Sequence, residues 1–75
     1  MKSDKILDAT SLSCPMPVVQ TKRMIDRMES GQILEIHATD KGSKKDIPAW
    51  VQATGHTLLH QEDNGEMFKY WIQKA

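Results

Sequence analysis

The stretch Ser13-Cys14-Pro15-Met16-Pro17 marks the point at which a short apolar strand pattern gives way to a helical one. Proline is tolerated in the first helical turn, where its missing N–H has no intrahelical partner, so Pro15 and Pro17 predict the start of a helix. Cys14 then falls at or beside the N-cap. The positive end of the helix dipole favours an anion there, so we expect the pKa of the Cys14 thiol to lie below its ordinary value of about 8.5. The alternative is a buried, inert cysteine.

The residues on either side of this stretch predict a strand and a long amphipathic helix. Lys5–Ala9 is the predicted strand, and Thr10–Ser13 connects it to the helix. The helical pattern runs from residue 15 to residue 29 and is predicted to close at Gly31, because glycine readily adopts the left-handed conformation. The residues that repeat at helical spacing on the predicted buried side are Val18, Thr21, Ile25 and Met28.

The middle of the chain predicts a second strand and a second helix. The strand is Gln32–Ala38, in which Leu34, Ile36 and Ala38 fall on one face and Ile33, Glu35 and His37 on the other. The helix is predicted to end at Gly55. The residues that repeat at helical spacing on its predicted buried side are Ile47, Trp50, Val51 and Thr54. Ser43 and Asp46 are both credible caps for its start, and Pro48 favours the later one.

The last part of the chain predicts an antiparallel hairpin. Thr57–Asp63 and Glu66–Lys74 are the two predicted strands, and Asn64-Gly65 joins them. Asparagine followed by glycine is a strong short hairpin signal because both residues tolerate a positive φ.

The order strand, helix, strand, helix, strand, strand predicts one α/β domain spanning residues 1–75, a two-layer sandwich with both helices on one face of a four-stranded sheet. The other sheet face is then left to solvent or a partner. In such folds the helices begin at the carboxyl edge of the parallel strands, where α/β proteins usually carry their chemistry. We therefore expect Cys14 and residues 40–46 to be neighbours in space.

Composition limits the classes of function. The chain has 75 residues, with 10 lysines and arginines against 10 aspartates and glutamates, so its formal net charge is zero. This balance argues against a protein whose main task is to grip phosphate backbones. The single cysteine cannot form an internal disulfide, the first residues form no apolar signal region, and no stretch approaches the roughly 18 apolar residues of a membrane span. The expected compartment is the cytosol.

Three other groups of residues are candidate sites. The three histidines lack the spacing of a zinc motif, so we expect neither a metal nor another cofactor. The methionines of the first helix fit core packing better than copper ligation, and the two tryptophans fit packing better than base stacking. A basic cluster, predicted to lie near Cys14, could stabilise a thiolate or dock an acidic partner or a phosphate. Its members are Lys41, Lys44 and Lys45.

From Leu7 to Lys74 the sequence resembles the TusA-like (SirA-like) sulfur-carrier family. The resemblance rests on five features in the family's order: Leu7-Asp8, Cys14-Pro15-Met16-Pro17, Gly31, the run from Thr39-Asp40 to Asp46-Ile47-Pro48-Ala49-Trp50, and Gly55-His56 before the final aromatic strand. It implies a sheet ordered 1-2-4-3 with an antiparallel fourth strand. It also implies that Cys14 carries sulfane sulfur as a persulfide, and that Asp40 is an acidic position on the same edge.

In such a family the donor is commonly a cysteine desulfurase or a rhodanese-like protein, and the acceptor is another protein. The resemblance thus implies a component of a sulfurtransferase system rather than a stand-alone turnover enzyme. Many members have Gly-Leu-x-Cys, often with arginine just before the cysteine, whereas this chain has Ser11 and Ser13 at those positions. Two other hypotheses stay open at this point: a nucleic-acid-binding module, and a regulatory interaction domain in which Cys14 is inert.

Overall fold

The elements follow one another in the predicted order. The structure, a computed structural model, describes residues 2–13 and 15–75. Its helices and strands are β1 (Lys5–Ala9), α1 (Met16–Asp26), β2 (Ile33–Ala38), α2 (Ser43–Thr54), β3 (Thr57–Asp63) and β4 (Phe68–Gln73). Neither helix in this part of the chain has the length and apolar character needed to cross a membrane.

The sheet has the strand order β1-β2-β4-β3, which confirms the predicted fold class. Strand β1 pairs in parallel with β2, with Leu7 opposite Ile36, while β4 runs antiparallel to both β2 and β3. Strands β1, β2 and β3 therefore share one direction. Their carboxyl ends lie at the same edge of the sheet, which we call the carboxyl edge.

The core lies between the sheet and the two helices, as the alternation of β2 predicts. Along β2 every second side chain is buried, and β4 contributes its own alternate residues from the neighbouring strand. Helix α1 buries Ile25 and α2 buries Ile47 against this face. The buried cluster consists of Ala9, Ile25, Met28, Leu34, Ile36, Ala38, Ile47, Val51, Phe68, Tyr70 and Ile72.

The opposite side of the sheet, called the open face below, carries the other alternate residues. In its central row Ile6, Glu35, Trp71 and His60 are cross-strand neighbours. The Trp71 indole N–H donates to Glu35 at 3.1 Å, its ring lies 5.1 Å from that of His60, and the residue is only 7% exposed. Trp71 therefore packs, as predicted. The open face consists of Ile6, Asp8, Glu35, His37, His60, Glu62, Lys69 and Trp71.

Helix α1 is shorter than predicted at both ends. Pro15 is its N-cap rather than a first-turn residue, and Pro17 lies inside the first turn. At the other end the N–H groups of Arg27 and Met28 bond to carbonyls three residues back, at 3.1 and 3.0 Å, and this tight turn ends the helix at Asp26. Gly31 does have a positive φ of 89°, but it belongs to the turn that follows, where its N–H donates to the Lys74 carbonyl.

Helix α2 begins earlier than Pro48 suggested, and neither predicted cap is its N-cap. Gly42 is the N-cap, and the first turn is closed by bonds from Ser43 to Asp40 and from Lys44 to Lys41, at 3.1 and 3.2 Å. Because the turn is already formed, Pro48 removes only one later bond within the helix. The predicted end at Gly55 is confirmed, with a φ of 82°.

The hairpin is antiparallel, but its loop has four residues rather than two. Asp63 pairs with Phe68, so β4 starts two residues later than predicted. The cause is the Asn64 side chain, whose oxygen accepts the N–H groups of Glu66 at 3.0 Å and of Met67 at 2.8 Å and holds both in the turn. Strand β3 also contains a bulge between Leu58 and His60 that the sequence pattern did not reveal.

Candidate functional site

The carboxyl edge brings together the connection after β1, the segment between β2 and α2, and the β3–β4 loop. The connection after β1 meets the end of β2 through the Ser11 N–H, which donates to the Thr39 hydroxyl at 3.1 Å. The start of α2 follows directly, and the β3–β4 loop lies beside it through Lys44 and Asp63. Cys14, on which the main functional prediction falls, lies outside the described residues.

Ser11 stands where many members of the resembling family have glycine, and it keeps a left-handed backbone, with a φ of 70°. It is the only non-glycine residue with a positive φ in the described ranges 2–13 and 15–75. An L side chain in this region costs roughly 1–2 kcal/mol because its Cβ approaches the carbonyl oxygen. The left-handed turn before the cysteine motif therefore strains the backbone at Ser11.

We expect Ser11→Gly to raise the free energy of unfolding by about 0.5 to 1 kcal/mol, since relief of the left-handed strain exceeds the extra entropy of glycine in the unfolded chain. Urea unfolding measures the difference. Ser13→Gly is the matched control, because Ser13 has no positive φ. The stability of this variant should fall or stay unchanged. An equal gain in both variants would contradict the strain at Ser11.

The two prolines of the motif have different surroundings. Pro15 is exposed at the N-cap, with a φ of −93°, whereas Pro17 is fully buried in the core. The Pro17 carbonyl accepts the hydroxyl of buried Thr21 at 2.7 Å. Pro17 thus anchors the first turn of α1 to the core, while Met16 between the prolines remains 37% exposed.

Asp40 lies at the carboxyl edge, as the resemblance implied, above a pair of buried hydroxyl groups. The Ser43 hydroxyl donates to the Asp40 carbonyl at 2.8 Å and lies 2.9 Å from the Tyr70 hydroxyl. The single hydroxyl hydrogen of Ser43 is donated to Asp40, so the Tyr70 phenol donates to Ser43; burial raises the pKa of Tyr70. One carboxylate oxygen of Asp40, Oδ2, is buried and has no hydrogen-bond partner among the described residues.

The three lysines of the basic cluster differ from one another. Lys44 Nζ lies 2.7 Å from Asp63 Oδ2 and 5.3 Å from the centre of the Phe68 ring. Lys44 lowers the pKa of Asp63, with help from the Gly65 N–H, and Asp63 in turn raises the pKa of Lys44. Lys41 and Lys45 are exposed. Lys44 is thus held in place by Asp63 and Phe68, although its side chain stays partly exposed. Lys41 and Lys45 add two further positive charges to the same surface.

These lysines line a surface cavity of about 520 Å³ between α2 and the β3–β4 loop. We call it the lysine cavity; its lining residues are Lys41, Lys44, Lys45, Asp63, Gly65 and Phe68. The sequence analysis missed Asp63 and Phe68 here. Strand order could have revealed them, because a 1-2-4-3 sheet places the end of β3 and the start of β4 at the edge where α2 begins.

The histidines do not join this site. His37 lies on the open face and is bonded to Glu35, where it lowers the carboxylate pKa, and His60 is bonded to Glu62 at 3.1 Å. His56 lies 5.4 Å from Trp50, ring to ring, beyond the end of α2. Within residues 2–13 and 15–75 no three histidine, cysteine, aspartate or glutamate side chains are grouped as metal ligands would be.

Comparison with known proteins identifies the family of the chain. Residues 5–74 match the family described as sulfurtransferase TusA. The chain is 61% identical to YrkI of Bacillus subtilis (strain 168) over 75 residues, which covers both chains completely. It is 40% identical to the sulfur carrier protein TusA of Allochromatium vinosum, covering 96% of this chain and 95% of that protein.

The fold has a solved counterpart as well. The crystal structure of the SirA-like protein from Desulfitobacterium hafniense superposes with a TM-score of 0.78 and covers 92% of this chain and 95% of the other, at 18% identity. At that identity the likeness shows the fold alone. The family match over residues 5–74 and the 61% identity to YrkI confirm the resemblance stated from the motifs: the chain belongs to the TusA family.

Proposed function

We propose that this chain is a sulfur carrier in which Cys14 holds sulfane sulfur as a persulfide and passes it to an acceptor protein. The observation that carries the proposal is the family match over residues 5–74, which includes the Cys14-Pro15-Met16-Pro17 motif. Family relatives that align with nearly the whole chain are themselves named sulfur carriers.

The chemistry needs only one nucleophilic thiol. The Cys14 thiolate attacks the outer sulfur of a persulfide on the donor, the S–S bond of the donor breaks, and the donor cysteine leaves as a thiolate. Cys14 now bears the persulfide. Attack by an acceptor nucleophile on that outer sulfur regenerates the Cys14 thiolate, so the cycle has no net oxidation and needs no cofactor.

We propose a cysteine desulfurase or a rhodanese-like protein as the donor and a protein as the acceptor, meeting in the cytosol. Incubation with a cysteine desulfurase and cysteine, followed by intact mass spectrometry, tests the proposal. The expected product is the protein with one added sulfur atom, which disappears on reduction. A protein that gains no reducible sulfur from any donor of either class would overturn the proposal.

The open face gives the nucleic-acid alternative no support. Asp8, Glu35 and Glu62 outnumber Lys69 there, so its formal charge is negative when the histidines are neutral. Phosphate backbones are repelled by such a surface. The interaction-domain alternative, in which Cys14 is inert, is decided by the same mass measurement.

We also propose that the lysine cluster docks an acidic partner. The triple change of Lys41, Lys44 and Lys45 to glutamine should slow protein-to-protein sulfur transfer by roughly tenfold at low ionic strength, because steering by charge is lost. The wild-type rate should fall as salt is added, since screening weakens the same attraction. Alkylation of Cys14 by a small neutral reagent should change much less.

A matched control for this variant removes the same charge at the opposite edge. Lys2, Lys5 and Arg27 are exposed and lie near the start of β1 or the end of α1, so their triple change to glutamine should leave the transfer rate within about twofold. Equal slowing by both triple variants would show a general effect of net charge. Equal loss of transfer and alkylation would show that the lysines activate the thiol instead of docking a partner.

A further inference from the structure

The lysine cavity already contains one carboxylate of the protein itself. Asp63 Oδ2 lies 2.7 Å from Lys44 Nζ, and Asp63 Oδ1 accepts the Gly65 N–H at 2.7 Å. The two side chains remain accessible, with 46% of Lys44 and 35% of Asp63 exposed. A carboxylate from outside can therefore reach the same ammonium group.

We propose that the lysine cavity binds a carboxylate side chain from an acidic segment of the partner protein. In the free protein the Asp63 carboxylate occupies the position beside Lys44 that the partner's carboxylate takes in the complex. This inference rests on the proposed carrier function, because it names the partner chemistry of the same edge. It makes Asp63 an internal competitor of the partner and Lys44 the group for which the two compete.

The charge balance of the cavity favours an incoming anion. Three lysines line it against the single carboxylate of Asp63, and neither Lys41 nor Lys45 has an ion pair with another described residue. Side chains rather than the helix end supply this charge, because the amides of Ser43, Lys44 and Lys45 are already bonded to carbonyls of the turn before α2. Carboxylates that enter the cavity thus meet flexible ammonium groups, which suits an acidic peptide segment.

The exchange of one carboxylate for another is easy at this position. Exposed ion pairs stabilise proteins only weakly, so release of Lys44 from Asp63 costs little. The Phe68 ring still attracts the Lys44 ammonium when the ion pair with Asp63 is broken, because the face of the ring is electronegative. Asp63 in turn stays anchored in the loop by the Gly65 N–H. Neither partner of the internal pair has to unfold to admit the new carboxylate.

A titration with a short polyglutamate peptide, followed by the backbone amide signals in NMR spectra, tests the inference without any sulfur transfer. We expect the shifts to concentrate at Lys41, Lys44, Lys45 and Gly65. Asp63→Asn should tighten binding by about fivefold at low ionic strength, the effect of removing one exposed competing ion pair. Asparagine can still accept the Gly65 N–H, so the loop keeps its anchor.

Two controls make the result specific. Glu62→Gln changes the charge equally on the adjacent residue, which lies on the open face, and should alter the affinity by less than about twofold. In a Lys44→Gln background the gain from Asp63→Asn should vanish. Equal gains from Asp63→Asn and Glu62→Gln, or shifts centred on the open face, would overturn the inference.

Tighter binding of a single-stranded oligonucleotide at the same lysines would overturn the choice of an acidic protein segment as the occupant. Sulfur loading of Cys14 is measured separately by mass. A chain that loads sulfur but shows no Asp63 effect contradicts only the docking inference, and a chain that binds the peptide as expected but never loads sulfur contradicts only the carrier function.

Discussion

Cys14→Ser is expected to abolish sulfur transfer completely while leaving the fold nearly unchanged. Serine has almost the shape of cysteine, but its oxygen neither ionises near neutral pH nor forms a persulfide. The flanking residues Ser13 and Pro15 are exposed. Intact mass after incubation with a cysteine desulfurase and cysteine should show no added sulfur on the variant, and its circular dichroism should match that of the parent.

Ser13→Ala is the control, because it alters the neighbouring residue and keeps the thiol. It should load sulfur at close to the parent rate. A Cys14→Ser protein that still gains a sulfur removable by reduction would show that another group carries it, since the chain has no second cysteine. Loss of folding in Cys14→Ser would instead assign the cysteine a structural role.

Ile36→Ala should cost about 3 kcal/mol of stability, the usual range for such a core truncation being about 2–5 kcal/mol. Ile36 is fully buried at the centre of the sheet, paired with Leu7 of β1 on one side and Tyr70 of β4 on the other. A domain of this length has a total stability of roughly 4 to 11 kcal/mol. The variant should therefore lose a large part of its stability, and urea unfolding measures it.

Ile6 provides the matched control for this truncation. It is the same residue type in the adjacent strand, but it lies on the open face and is 60% exposed. Ile6→Ala should cost less than about 0.5 kcal/mol, because no cavity forms where water already reaches the side chain. Similar losses in both variants would mean that the open face is covered by something else in solution, most simply a second copy of the chain.

Local patterns in the sequence were enough to predict the layered fold. The alternation of Leu34, Ile36 and Ala38 marks the core face of β2, and Gly55 marks the end of α2; both predictions are confirmed. These signals work because each depends on a property of single residues, such as apolar burial or tolerance of a positive φ. The strand order was implied by the family resemblance, and the structure confirms it.

The ends of the elements were harder to predict, because side chains outside the periodic pattern decide them. Asn64 delays the start of β4 by accepting two backbone N–H groups. The turn from Asp40 to Ser43 starts α2 before Pro48, although proline alone favours a later start. In both places several local hydrogen bonds, each contributing about 0.5 to 1.5 kcal/mol, set the end of the element.

The sequence by itself determined the apolar faces of the strands and helices, the basic cluster and the position of Cys14 after the first strand, because all of these are properties of neighbouring residues. Only the tertiary structure decided that Lys44 meets Asp63, 19 positions away by their numbering, and that Tyr70 supports the turn at Ser43. Such pairs depend on strand order and register. A shift of one residue in β4 would turn Tyr70 to the open face and remove the hydroxyl pair beneath Asp40, so the carboxyl edge exists only in the folded sheet.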